Sequence, residues 1–453
     1  MSTAQLDRPA PVVVKPSGGV LDRVARLRRS SPGRLQLILA GLLTLGLLTG
    51  LVAGLTAAAA GAGTADLGNR AQPLLVEAET IYSALADADT TAAQAFLAGG
   101  LEPTELTRRY EDDLDRATTA LTSAARRTPE TGRSADAIRQ LSADVSRYAA
   151  LVASARANNR QGLPVGAAYL SSASTLSRTS LQPQAQALFQ AAQREVDDGY
   201  GDARSSWWTA LLVVLLLALL TALVLAQRYL SRSTHRTFNV PLLVATAVTL
   251  VLALGVGGML ISQRVHLSEA DTEGSWPVAL LAETRIAALR ERGDEALTLA
   301  ARAGEGDADL PLATRAAAGD LEADFDLTTQ RLDELLADAG EIMPDGTAGA
   351  AVRSATAAHR TYVGAHDRVR KLDNGGDYDA AVALAIGAPT SATFTGFTGD
   401  IGRALDDRKA VFSDEIGAAG RGLGLLTVLG PVLALLICGL VLAGIRARLE
   451  EYR

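Results

Sequence analysis

The chain has one cysteine, Cys438. An intrachain disulfide framework and a cysteine-rich metal site are both excluded. Aromatic residues are scarce at 4% although hydrophobic residues reach 48%. A chain that apolar is not disordered, and its apolar content is Ala, Leu, Val and Gly rather than the mixture of an ordinary cytosolic enzyme. Phosphate-cradling GxxxxGK[ST], HExxH and nucleophile-elbow motifs are all missing. Histidines number four. We expect no catalytic activity, no cofactor, no resident metal and no nucleic-acid partner.

Charge is also missing, locally, from four long runs at 35–60, 207–226, 240–262 and 424–445. About 20 apolar residues cross a bilayer as a helix, and lipid leaves no other way to pair the backbone. The lack of charge within the runs excludes an intramembrane proton relay or ion pathway of the usual kind. Pro431 breaks the fourth run and is read as a kink.

What remains divides by charge. The segments 1–34, 227–239 and 446–453 hold 13 bases against four acids. The long segments 61–206 and 263–423 hold 30 bases against 46 acids. The positive-inside rule therefore predicts cytoplasmic termini and a cytoplasmic middle loop, with both long segments outside a plasma membrane. The basic tail, Arg23 to Arg34, is expected to meet anionic lipid.

Both long segments carry helical periodicity. Leu74, Ala78, Ile81, Leu85, Ala88, Ala92 and Phe96 form one apolar seam. Leu106, Tyr110, Leu114, Ala117 and Leu121 form a second, and Leu141, Val145, Tyr148, Val152 and Ala155 a third. In the later segment Leu321, Phe325, Thr328, Leu332 and Leu335 repeat the pattern. Such narrow seams belong to antiparallel bundles. Echoes occur in order: Ala78-Glu79-Thr80 with Ala282-Glu283-Thr284, Tyr148 with Tyr362, and Gly162 with Gly376. The expected fold is an all-α membrane protein with four transmembrane helices and two extracytoplasmic four-helix bundles, made by tandem duplication of one unit.

Three sets of residues are candidates for function. His359, Tyr362 and His366 share one seam of the second bundle, where the first has Val145, Tyr148 and Val152. They are candidates for ligand or partner contact or a pH-sensitive layer. The two histidines are seven residues apart, roughly 10 Å along a helix, too far to share one metal ion. Gly46, Gly50 and Gly54 form a small-residue face for helix packing, within the chain or across a homodimer. The acidic runs Glu111–Asp115 and Asp320–Asp326 lack the loop geometry of a calcium site and read as solvated helix faces.

The span, four-helix bundle, span unit resembles the sensory half of bacterial chemoreceptors and histidine kinases. Over its full length the chain resembles the GlnX-type actinobacterial membrane sensors. The likeness rests on the basic tail, four spans and Ala-rich segments such as EAETIYSALADADTTAAQAFLAGG at 77–100. It implies an amino-acid-binding lipoprotein (GlnH) as the outside partner, with aspartate, glutamate or glutamine as its ligand. Inside, it implies relay to serine/threonine protein kinase G. The resemblance carries no site residues.

Overall fold

The computed structural model describes residues 31–99, 102–128, 133–163, 165–204, 207–234, 239–303 and 312–450. The basic tail before Ser31 lies outside them. Among the described residues the chain is helical apart from short connections, and no strand occurs. Four stretches are long and apolar enough to cross a membrane, the mark of a membrane protein.

The first half runs as α1 (Ser31–Asp66), α2 (Gln72–Leu97), α3 (Thr104–Arg127), α4 (Arg133–Arg160), α5 (Val165–Leu176) and α6 (Gln182–Arg204). It is followed by α7 (Trp207–Thr234) and α8 (Val240–Glu269). The rest comprises α9 (Trp276–Ala303), α10 (Leu312–Ile342), α11 (Gly346–Asn374), α12 (Tyr378–Ala385), α13 (Ala388–Gly420) and α14 (Leu423–Glu450). Apolar membrane-length sequence lies in α1, α7, α8 and α14.

Three junctions are continuous helix with one widened turn. Leu67–Ala71 joins α1 to α2, Ser177–Leu181 joins α5 to α6, and Ala270–Ser275 joins α8 to α9. Each closes on an i to i−5 hydrogen bond, as from Gln72 N–H to Leu67 O and Trp276 N–H to Asp271 O. The cause is legible two residues on, at Pro73, Pro183 and Pro277. A proline lacks its N–H and its ring crowds the carbonyl four residues back, so the helix must widen or break. At two junctions the freed carbonyl finds an arginine. Asn69 O accepts from Arg127 Nη1 at 2.9 Å, and Glu273 O accepts from Arg408 Nη1 at 3.4 Å.

The chain resolves into two compact units, one of Ala60–Ser205 with Ile261–Arg421 and the other of the remainder. In the apolar unit, Leu42, Val52, Leu212, Leu219, Leu223, Leu242, Leu252 and Val441 form the core. A face of α1 meets α14 there. A Cβ at Gly50 would overlap Ala434 Cβ, one at Gly46 would reach 2.9 Å from Cys438 Sγ, and one at Gly54 would lie 3.2 Å from the Pro431 ring. The three glycines thus admit the backbone of one helix to the side chains of another within one chain.

The charged unit contains both long segments. In the first, α2 packs on α3 and α6, and α4 on α5 and α6. In the second, α9 packs on α10 and α13, and α11 on α13 and α12. Helices α2 and α9 also pack on each other, so the two segments share one body. Gly162 and Gly376, with φ of +66° and +85°, end α4 and α11 in the left-handed conformation that suits glycine. Asp377 then caps α12 by accepting from Ala380 N–H at 3.2 Å.

Candidate functional site

The central position of α2 and α9 has a consequence the seams do not show. Ile81 through Ala95 of α2 are buried on every face, and so is most of Glu291 to Ala300 on α9. These stretches contain Asp87, Asp89, Glu291, Arg292, Asp294 and Glu295. Ionised groups removed from water need partners, and the neighbouring helices supply them.

His359, Tyr362 and His366 on α11 face this charged stretch of α9 and are 1%, 0% and 3% exposed. His359 Nε2 lies 3.1 Å from Glu291 Oε1, which also accepts from Thr329 Oγ1 at 2.6 Å. Tyr362 donates to Glu295 Oε2 at 2.9 Å, and His366 Nδ1 lies 3.1 Å from Glu295 Oε1. Arg292 donates to Glu295 Oε2 at 2.7 Å and to Ala385 O at 3.0 Å. The other imidazole nitrogen of His366 is 3.4 Å from Glu322 Oε1, and Arg370 Nε is 2.9 Å from Glu322 Oε2.

Aromatic rings close the layer. Phe325 stacks on His366 at 3.6 Å, and Phe397 and Phe394 flank His359 and Tyr362. The Arg292 guanidinium sits 5.4 Å from the Tyr362 ring centroid and 5.5 Å from that of Phe394. With these side chains enclosed, the arrangement is a polar layer that locks α11 to α9.

Burial works against the charge on His366, but Glu295 and Glu322 outweigh it and lift the imidazole pKa to about 9. Burial also opposes ionisation of Glu295. Arg292 and His366 prevail and hold its carboxyl below the ordinary range. The layer therefore contains a charged histidine and a charged glutamate at neutral pH.

The first segment repeats the theme with fewer cations. Tyr148, 1% exposed, donates to Asp89 Oδ1 at 3.1 Å, as Tyr362 does to Glu295. Burial pushes the Asp89 carboxyl up, and the nearby Arg178 only partly offsets this. Arg178 itself donates to Asp294. Arg285 of α9 donates to Glu79 of α2 at 3.3 Å. Charged contacts thus tie the two segments together along α2 and α9.

A groove of about 970 Å³ runs along α2 and α3, lined by Asp87, Asp113, Arg109 and Arg116 among others. Arg109 donates to Asp87 Oδ1 at 3.1 Å, and Arg116 pairs with Asp113. Here the structure departs from the solvated reading of 111–115. Glu111 and Asp112 are exposed, but Asp113 is 1% exposed, occupying the core side of α3 beside Tyr110 and Ala117. Burial, aided by the charge of Asp87, raises its pKa to about 6.

Residues 63–201 match the family model described as an actinobacterial sensor domain. The match supports a sensing role and an actinobacterial family of sensors. No curated protein and no solved structure matches the chain.

Proposed function

We propose that the protein is a non-enzymatic membrane signal transducer that reports an extracellular state to a cytoplasmic partner. The observation that carries this reading is helix continuity. Residues 33–97 and 240–300 are each continuous helix from membrane-length apolar sequence into the buried charged stretch of α2 or α9. A displacement of α2 or α9 is transmitted along such a helix, and shifts of 1–2 Å are an established class of switching motion. The sensor-domain match covers one of these two helices past its apolar part.

The positive-inside bias supports cytoplasmic termini, with the charged unit outside the plasma membrane as a duplicated pair of bundles. Tyr148 with Asp89 and Tyr362 with Glu295 support the duplication. In the GlnX-type reading, an amino-acid-binding lipoprotein docks outside and a serine/threonine kinase receives the signal inside.

The test is co-purification of the full chain in detergent with the solute-binding lipoprotein, with and without aspartate or glutamate. Ligand-dependent association is expected. No association in any condition overturns the relay, as does a deletion strain whose kinase-substrate phosphorylation still follows external amino acids. The charged groove on α2 and α3 favours a second reading, direct binding of a small solute. Thermal stabilisation of the full chain by amino acids alone supports that reading.

A further inference from the structure

We infer that His266, Glu269 and Glu415 form a binding site for a divalent transition-metal ion. All three belong to the charged unit. His266 and Glu269 occupy the last turn of α8, just past the apolar run, and Glu415 lies on α13 shortly before the next one. His266 Nδ1 is 2.7 Å from Glu415 Oε2 and 3.4 Å from Glu269 Oε2. One nitrogen and two carboxylate oxygens, all within 4.8 Å of one another, converge from two helices.

The spacing fits coordination. Metal–nitrogen and metal–oxygen bonds of about 2.0–2.2 Å place neighbouring ligand atoms roughly 3.0 Å apart in octahedral geometry and roughly 3.4 Å in tetrahedral geometry. The two separations from His266 Nδ1, 2.7 and 3.4 Å, span those values, and the carboxylate oxygens lie within 4.8 Å of each other, so side-chain rotations suffice. The charge also fits. Among the described residues, the ion pairs of Glu269 and Glu415 are those with His266 alone. One imidazole proton serves one carboxylate at a time, and the cluster keeps net negative charge. A divalent ion satisfies all three donors together. The side chains are between a quarter and a half exposed, which leaves room for entry and for water as the remaining ligands.

The donor set selects the class. An imidazole with two carboxylates suits zinc, manganese or cobalt, whereas calcium takes oxygen donors and gains little from the histidine. Bound metal would join α8 to α13 where each adjoins its membrane-length sequence, a direct point of control over helix displacement.

The experiment uses the full chain in detergent, stripped with EDTA and equilibrated with Zn²⁺, with Ca²⁺ in a parallel arm. One zinc per chain is expected, with at least tenfold weaker binding in His266→Ala and Glu415→Gln. Glu269→Gln, at the most exposed of the three positions, is expected to weaken zinc severalfold with an unchanged circular dichroism spectrum. Cobalt in place of zinc is expected to give visible absorption that His266→Ala abolishes. Failure to retain zinc, equal retention by all variants, or calcium binding as tight as zinc overturns the assignment.

Discussion

Arg178, in the widened turn that precedes Pro183, donates to Asp294 on α9 and so ties the first long segment to the second. Asp294 is fully buried, and its second carboxylate oxygen has no hydrogen-bond partner. Burial lifts its pKa to about 6 despite the arginine.

Removing that arginine takes away the cation that most offsets the burial of Asp294 and leaves it only the weaker pull of Arg290. Arg178→Met is expected to destabilise the protein by about 3 kcal/mol at pH 7.5, since breaking a buried pair is far costlier than replacing both partners. The double variant Arg178→Met, Asp294→Asn is expected to recover most of the loss. Denaturant unfolding of the full chain in detergent is the measurement. Equal losses in the single and double variants would show that the two residues are not coupled.

His366 makes stability depend on alkali. Its folded pKa of about 9 lies above the ordinary histidine value, so the protonated form stabilises the fold. That contribution is complete below about pH 6.5 and is lost as pH rises through about 9. His366→Gln is expected to lower stability by about 2 kcal/mol at pH 6 and to cost little above pH 9.5. Melting temperatures of both proteins across this range decide the matter. A constant difference at all pH values would mean that the ring acts through packing on Phe325 alone.

Asp113 follows the same sign in a lower pH window, although here the favoured protonated form is the neutral one. Its carboxyl is raised to about 6, so the folded state favours the protonated form. The resulting stability is greatest in acid and declines as pH climbs from about 4 through about 6. Asp113→Asn is therefore expected to stabilise the protein by about 1 kcal/mol at pH 7.5 and to flatten the stability profile between pH 4 and 6. Loss of stability at pH 7.5 would instead show that the Arg116 pair outweighs burial.

Gly50 faces Ala434 too closely for a methyl group. Gly50→Ala is expected to destabilise the apolar unit by about 1–2 kcal/mol, the usual cost of overfilling a packed contact. Ala434→Gly in the same chain is expected to restore it. Thermal unfolding in a fixed detergent compares the three proteins. Failure of the second change to compensate would place the strain elsewhere.

The membrane-length helices were legible because a run of more than twenty uncharged residues has one economical reading. The bundle seams were legible only in part. Leu74, Ala78, Ile81 and Leu85 are buried as their spacing demands. Asp87, Asp89 and Gln94 beyond them are buried too, since α2 has neighbours on every side. No periodicity marks a helix enclosed all round, so nothing in the spacing of its charges separates them from solvated ones. On α9, Glu291, Arg292, Asp294 and Glu295 fall on several faces for the same reason. Tyr148 was visible as a seam residue, but its buried carboxylate partner was not. His266 and Glu415 are 149 residues apart, and no local spacing connects them. The widened turns had a signal in Pro73, Pro183 and Pro277, although a proline in a helical pattern marks a helix start equally well.

Each widened turn contains one residue more than a regular helix needs. Deleting a residue within 67–71 or 270–275 would therefore restore a regular helix with the parts before and after it still in phase, whereas the same deletion in regular helix turns one part by about 100°. Pro73 and Pro277 bar that outcome while they stand, because the regular register would drive each ring into a carbonyl. Deletion and proline replacement together would give one unbroken α-helix at each junction. Each widened turn is thus a one-residue surplus that a single proline keeps in the chain.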